Sequence, residues 1–483
     1  MLKKSSPKEI EFLASSDPEA VFLKQLQALL ADVTPSPASP TRDWQRQPFR
    51  PYLLGYTGKG NVGADIRVRE VVRQMRSIFA HVGFDPLMAV MGETAIDPVL
   101  DALEKINLDG YLPDTLPAMM AEVDGVIACE GSMFTSKFSD LLSATFAVSL
   151  GYATRQGRLA VGYGAEAGIM TQRLSDMVSA SCRGTLVLSR SAATHAHLSS
   201  LGLDSRLGAD SAWTYAPSGE AIAKVQDRLR AHRWDGQAPI AVVCPMNPFC
   251  WPVKVDLEKA AAKQKNGRFA DVHYEGVLFH AAQPNAAVAL AGYLQSLKSV
   301  VSHLRGRGYF PVMVGMERLD GKTCARLAAT LDRPIPVFVS GASSAETIVS
   351  VLHSASLVVS SRFHACVLSL NAQVKTIGIA LDERIRNLYT ENAMESYFFR
   401  SDSDALGERL VDAIDRIRDA DMQDIYAELI RTQVRRFGTM GLELHDAALR
   451  ICPGMQPSPL PRRWSAYLPP LPPRLEALID GMD

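Results

Sequence analysis

Residues 55–72, "GYTGKGNVGADIRVREVV", hold Gly58, Gly60 and Gly63 in a G-x-G-x-x-G spacing. The apolar run Tyr52–Leu54 precedes them and an amphipathic stretch follows. This is the order strand, glycine turn, helix, in which glycines let backbone N–H groups approach an anion at a helix N-terminus. Beyond the turn, Val68, Val71, Val72, Met75, Ile78, Phe79 and Val82 recur at spacings of three and four, as in a helix covering a core. The turn has three readings: a dinucleotide site, a purely structural turn, or a seat for another ligand. A dinucleotide needs an acidic residue closing the second strand, where it holds a ribose. Asp85 instead precedes that strand, "PLMAV", and Glu93 lies about thirty residues past the loop rather than about twenty. The third reading is the one followed.

Outward from the turn, strand-like runs alternate with helical periods: "YLLGY", "PLMAV", "DGVIAC", "LAVGYG" and "TLVLS". A polar stretch at 215–237 connects this series to a second one: "PIAVVCPM", "YFPVMVGM", "PVFVS", "SLVVSS" and "KTIGIA". Such alternation predicts parallel sheets covered by helices on both faces. The expected fold is therefore α/β, with two Rossmann-like domains and a ligand cleft between them at the carboxyl ends of the strands. The expected divisions are an N-terminal helix (8–31) with the proline-rich linker "TPSPASP" in 1–50, domains at 51–225 and 226–402, and helices with a proline-rich, extended tail in 403–483. Residues 247–285 read as an irregular insertion of the length that often carries function.

Bulk composition sets the boundaries. The chain has 483 residues, too many for one ordinary core. Its 51 basic and 52 acidic residues give no global field for nucleic acid or an anionic membrane, so an anion site must be local. Seven dispersed cysteines without a C-x-x-C pair suit a reducing compartment. No signal-like or membrane-spanning apolar run is evident, and the expectation is a cytoplasmic protein, with peripheral attachment to the inner face of a membrane left open. No H-E-x-x-H, D-x-D or cysteine cluster suggests a metal, and His195 and His197 lie two apart in a helical stretch, facing different ways. His273 and His280 fall in the insertion and are candidates for contact with a ligand.

In the second series, "SASLVVSSRFHACVLSLNAQVKTIGIALDERIRNLY" (354–389) ends a strand at Ser360-Ser361-Arg362 and opens a helix with His364. Arg362 and His364 thus lie where a helix N-terminus already favours an anion, although a salt bridge and a cap would read the same. Together with "GKGNVGAD", "DGVIACEGSMF" and "LSRSAATHAHLSSLG…GAD", this segment makes residues 52–390 resemble the polysaccharide pyruvyl transferase family. The resemblance implies a glycosyltransferase-B-like pair of domains. It also implies a reaction in which phosphoenolpyruvate places a pyruvate ketal on two hydroxyls of a sugar in polysaccharide or exopolysaccharide synthesis, releasing phosphate. Phosphoenolpyruvate is then a donor substrate, with no cofactor, and the acceptor is a sugar or lipid-linked saccharide. The chain departs from the family pattern in having Ala64 between Gly63 and Asp65, Glu130 before Gly131, and Arg384 or Arg386 at a family lysine position.

Phosphoenolpyruvate carries a carboxylate and a phosphate, and arginine's planar fork suits both. Arg190, ending "TLVLSR", and Arg362 are expected to clamp the donor from facing strand ends, with Ser361, Gly60, Asn61 and Gly63 as further donor-binding positions. Ketal formation needs an acid for the enol carbon and a base for each hydroxyl. His364 is the first candidate. Asp65 and Glu130 are the carboxylates that could orient or deprotonate the sugar, or could be a cap and a solvated group. Asp210 is a further cleft candidate or a turn residue. Two other functions share the fold: a glycosyltransferase using a nucleotide sugar, and a catalytically silent binding protein.

Overall fold

Both series of apolar runs form parallel sheets. The computed structural model describes residues 15–34, 43–44, 46–91, 97–108, 116–266, 273–275, 277–281 and 284–482, with backbone alone for 263–266 and 273–275. The start of the expected N-terminal helix, the linker from residue 35 and the side chain of His273 lie outside the described residues.

The first sheet contains β1 (Pro51–Leu54), β2 (Leu87–Val90), β3 (Glu104–Asn107), β4 (Gly125–Ala128), β5 (Leu159–Ala165), β6 (Leu186–Ser189) and β7 (Asp204–Leu207). Its order is β3-β2-β1-β4-β5-β6-β7, all parallel. The chain then passes through the polar helix Gly219–Ala231, which packs on helix Ala345–His353 of the second half and spans the expected boundary at 225/226. The second half continues with β8 (Ile240–Cys244), β9 (Val253–Val255), β10 (His273–Glu275), β11 (Leu278–His280) and β12 (Phe310–Gly315). It closes with β13 (Val337–Val339), β14 (Leu357–Ser360), β15 (Lys375–Ala380) and β16 (Phe398–Arg400). Its main sheet runs β13-β12-β8-β14-β15-β16, again parallel.

The central strands β1, β4, β5, β8, β12, β14 and β15 are almost wholly buried, as the apolar runs require of sheets covered on both faces. The insertion is not irregular. It forms a small antiparallel sheet, β10-β11-β9, with helix Leu257–Asn266, and it packs onto the first half. Val253 N–H donates to the Phe138 carbonyl at 2.7 Å, and Val253, Leu278 and Trp251 join the apolar layer containing Phe22, Leu26 and Phe146.

Helix Gln423–Ile451 crosses back to the first half. There Gln74 Nε2 donates to the carbonyls of Phe437 and Tyr467, both at 2.8 Å, and Gln74 Oε1 accepts from the Tyr163 hydroxyl at 2.6 Å. The expected extended tail is corrected. It holds a 3₁₀ turn at Trp464–Tyr467 and a helix at Pro473–Ile479, because Tyr467, Leu468 and Leu475 between the prolines are buried anchors. A side chain at Gly441 would stand 2.6 Å from the Tyr467 carbonyl oxygen and 2.7 Å from Gln74 Nε2. Gly441→Ala is therefore expected to cost about 1–3 kcal/mol, the range for overpacking a close contact, read as a lower urea midpoint with unchanged slope.

Candidate active site

The carboxyl ends of the two sheets face one cleft, lined by Asn61, Gly63, Glu130, Trp251, Arg362, His364 and Arg384 among others. Trp251 meets Phe138 edge-on at 4.7 Å between ring centroids, and the Arg384 guanidinium lies 4.7 Å over the Phe138 ring. The insertion thus gives the cleft an aromatic wall. A smaller recess adjoins it, lined by Arg190, Ser191, Glu391 and again Phe363 and Arg384.

The glycine turn is closed by the protein itself. Gly58 and Gly60 take positive φ of 87° and 73°. The Asn61 side chain caps helix Val62–Ile78 by accepting from Ala64 N–H at 3.2 Å, and Asp65 accepts from Gly58 N–H at 3.1 Å. Across the cleft, Val62 N–H donates to the Met316 carbonyl at 2.9 Å and Arg318 N–H to the Gly60 carbonyl at 3.2 Å. The turn fastens one half to the other at the segment after β12. Gly63 serves close approach, since a Cβ there would collide with the His364 ring. Asn61 and Gly63 line the cleft, whereas the nearest side chains to Gly60 are those of Ser340 and Arg318.

Behind this turn lies a buried ionic network. Asp210 is 1% exposed; its Oδ2 stands 3.0 Å from Arg67 Nε, 2.8 Å from Arg190 Nη1 and 3.4 Å from His364 Nε2. Burial opposes its charge, yet Arg67, His364 and Arg190 together hold its carboxyl well below the usual carboxylate range. Arg67 also donates to the carbonyls of Cys129 at 2.6 Å and Gly164 at 2.9 Å. Arg190 Nε donates to Glu166 at 2.7 Å, and its guanidinium stacks 4.0 Å from the Phe363 ring centroid. Glu166 in turn accepts from Ser191, Thr194 and, across the halves, Asn387 at 3.0 Å. Gly131 makes room for both arginines: a Cβ there would stand 2.7 Å from Arg190 Nη1 and 3.0 Å from Arg67 Nη1. Burial lowers the His364 imidazole pKa, with Asp210 opposing the shift.

The sequence expected Arg190 and Arg362 to clamp the donor from facing strand ends, with an ordinary ion pair as the alternative for either. Both are already braced. Arg362 Nε donates to Asp320 at 2.9 Å and its Nη2 pairs with Glu317 at 2.9 Å. Burial raises both carboxyls while Arg362 pulls them down. Arg190 is buried behind the cleft and opens onto the adjoining recess; its Nη2 has no hydrogen-bond partner among the described residues. Ser361 is absent from the cleft lining and its hydroxyl bonds Tyr293 at 2.6 Å. Arg384 reaches the cleft, bonding Asp382 at 2.9 Å and Ser132 at 3.3 Å, whereas Arg386 is exposed.

Glu130 lines the cleft, where its two oxygens accept from Tyr56 N–H at 3.2 Å and Ser132 N–H at 3.0 Å. Asp65 is buried against Gly58 and absent from the lining; burial, then Asp97 and Glu317, pushes its carboxyl up to about 7. His195 bonds Ser205 at 3.2 Å, and His280 packs edge-on against Trp251. Glu391 caps the first-half helix Ala192–Ser200 from the second half, accepting from Ala192 and Ala193 N–H at 3.0 and 3.1 Å. Among the described residues no group of three or more His, Cys, Asp or Glu is placed to hold a metal, and no helix is long and apolar enough to cross a membrane. Sequence reasoning missed Arg67, Glu166, Glu317 and Asp320. For Arg67 a signal existed: Arg67, Glu70 and Gln74 form a polar stripe at helical spacing inside an apolar helix.

This geometry is that of two Rossmann-like domains in a glycosyltransferase-B-like arrangement. A Listeria monocytogenes structure, provisionally assigned as a UDP-N-acetylglucosamine 2-epimerase, has a TM-score of 0.52 at 11% identity, covering 85% of this chain and 99% of that one. MnaA from S. aureus with UDP scores 0.49 at 8% identity, covering 85% and 99%. The E. coli ADP-heptose lipopolysaccharide heptosyltransferase II scores 0.39 at 10%, covering 76% and 98%. At 11% identity the likeness to the first of these is one of fold. No curated protein matches the chain by sequence. The family model for polysaccharide pyruvyl transferase matches residues 190–383, a span that opens on Arg190 and contains Arg362 and His364. The match bears out the family resemblance over that span, and it supports a transferase in polysaccharide pyruvylation.

Asp65 offers a pH test of this interior. A folded pKa near 7 against an ordinary 3.8 means that the native state holds the proton more tightly than the unfolded chain. That stabilisation is complete below the ordinary value and is lost as pH rises through the folded one. Asp65→Asn, which imitates the protonated carboxyl, is expected to match the parent near pH 4 and to exceed it by on the order of a few kcal/mol above pH 7, at about 1.4 kcal/mol per pH unit between. Paired urea titrations across this range provide the measurement.

Proposed function

We propose that the protein transfers pyruvate from phosphoenolpyruvate to a sugar or lipid-linked saccharide as a ketal, releasing phosphate. The observation that carries this reading is the buried Arg190 Nη2, without an acceptor among the described residues, beside a recess that shares Phe363 and Arg384 with the main cleft. A buried guanidinium donor left unpaired is costly, and a phosphate or carboxylate oxygen satisfies it. Arg190 and Arg384 are the donor's cations in this reading. Arg362 contributes at the cleft face, with Asn61 and Gly63 beside the histidine. Gly60 supports their turn, and Ser361 acts from behind through the Arg362 strand end.

In the reaction, one acceptor hydroxyl oxygen bonds to the enol C2 while C3 takes a proton. The second hydroxyl then bonds to C2 as the C–O bond to phosphate breaks. Of the two hydroxyl protons released, one balances the new methyl group and the other leaves with phosphate. His364, kept largely neutral by burial, is suited to accept a hydroxyl proton and return it. Glu130 orients the acceptor hydroxyls against the Trp251 and Phe138 wall. Asp65, away from the cleft lining, supports the glycine turn in this scheme.

Thermal shift tests the donor: phosphoenolpyruvate should stabilise the protein, and UDP- and ADP-sugars should not. The opposite pattern would favour a nucleotide-sugar glycosyltransferase. His364→Asn is expected to lower phosphate release at saturating donor by about 10²–10⁴-fold while donor affinity stays within a few fold. Arg362→Lys keeps the charge against Glu317 and Asp320 but loses the fork, and should weaken donor binding by about 1.5–3 kcal/mol in isothermal titration.

A further inference from the structure

We infer that Asp210 is the positioning residue of His364, supplied by the opposite domain, so that the imidazole is set for proton transfer only when the two domains are closed. The inference rests on the proposed proton-handling role of His364. His364 is the second residue of helix Phe363–Asn371 after β14 of the second half, whereas Asp210 follows β7 of the first. Their Nε2 and Oδ2 atoms stand 3.4 Å apart in ion-pair contact; no aligned hydrogen bond joins them, and the buried Nε2 has no hydrogen-bond partner among the described residues, which leaves Asp210 as the acceptor available to it.

Asp210 is itself held rigidly. Its Oδ1 accepts from Ala212 N–H at 2.9 Å, while Arg67 and Arg190 fix Oδ2. A carboxylate so placed can only accept, so it selects the imidazole tautomer with hydrogen on Nε2 and leaves the Nδ1 lone pair to take a proton. Nδ1 lies against Gly63, at the cleft lining, in space that a Cβ would fill. Two first-half positions therefore orient one second-half ring: Asp210 by its charge and Gly63 by the absence of a side chain. The main-chain bonds from Val62 to Met316 and from Arg318 to Gly60 hold that approach. With the halves apart, His364 has neither partner.

The test combines ¹⁵N-histidine NMR with kinetics. In the full-length protein at neutral pH, the His364 signals, assigned by their loss in His364→Asn, should show a protonated Nε2 and an unprotonated Nδ1. Asp210→Asn should give a mixture of tautomers and lower kcat by about 10²–10⁴-fold. Because that substitution also disturbs Arg67 and Arg190, Gly63→Ala is the second variant. It leaves the ionic network intact, displaces the ring, and should show the same mixed tautomers and the same loss of kcat.

A wild-type ring protonated on Nδ1, or a folded Gly63→Ala protein with wild-type tautomer and kcat, overturns the inference. The spectroscopic arm does not use phosphoenolpyruvate, so the two readings fail separately. A tautomer set by Asp210 in a protein inactive with phosphoenolpyruvate leaves the pairing standing and removes the donor. A tautomer indifferent to Asp210 and Gly63 in a protein that releases phosphate removes the pairing and leaves the donor.

Discussion

The ionic contact of Asp210 with Arg67 and Arg190 is the constraint on which the rest of the cleft depends. Three charged groups removed from water are stable together only with good geometry and with their remaining hydrogen-bonding groups engaged. Here Arg67 reaches two carbonyls, Arg190 reaches Glu166, and Asp210 caps the short turn Ser211–Thr214, while Arg190 Nη2 is left without a partner among the described residues. Arg67 apart, these groups lie at or just beyond the ends of β4, β5, β6 and β7, so the network draws the strand ends of the first sheet to one point. Gly131 and Gly164 stand where side chains would keep the arginines out.

The same network meets the second half through His364 and Phe363, and main-chain and side-chain links reinforce that meeting. The glycine turn bonds to residues 316–318, Asn387 bonds to Glu166, and Glu391 caps helix Ala192–Ser200. An apolar layer continues across the divide, containing Leu53 and Val71 from one half and Val351 and Phe363 from the other. A glycine-rich turn that in other proteins cradles a phosphate is here a fastener between domains, with the N–H groups of Gly58, Val62 and Ala64 bonded to this chain.

The sequence was most legible where strands are buried on both faces. β1, β4, β8 and β14 are continuous apolar runs, and each was read correctly. β3 and β7, the two edges of the first sheet, and β16, an edge of the second, were not foreseen. "EKIN", "DSRL" and "FFR" carry polar side chains because an edge strand is partly open to water, and alternation over so few residues gives no signal. At the site, Arg362 and His364 were legible as the junction of a strand and a helix. Their counterions were not: Glu317 and Asp320 were missed, and Asp210, already a cleft candidate, was not paired with His364, because these residues come from other strand ends and only the fold brings them together. Arg190 was found by type, but its partners were not, since nothing local announces that Glu166 and Asp210 enclose it.

The contact between Gly63 and His364 has a consequence for how such a chain can change over time. The glycine is read naturally as part of a phosphate-binding turn, yet here its missing side chain is what admits an imidazole from the other domain. The two positions form one inherited unit: a lineage that keeps this histidine placement must keep the glycine, and one that loses the histidine is released to vary at both. Domain exchange between relatives would break the unit unless both halves came from parents sharing it. The interface, rather than either domain alone, is the heritable object.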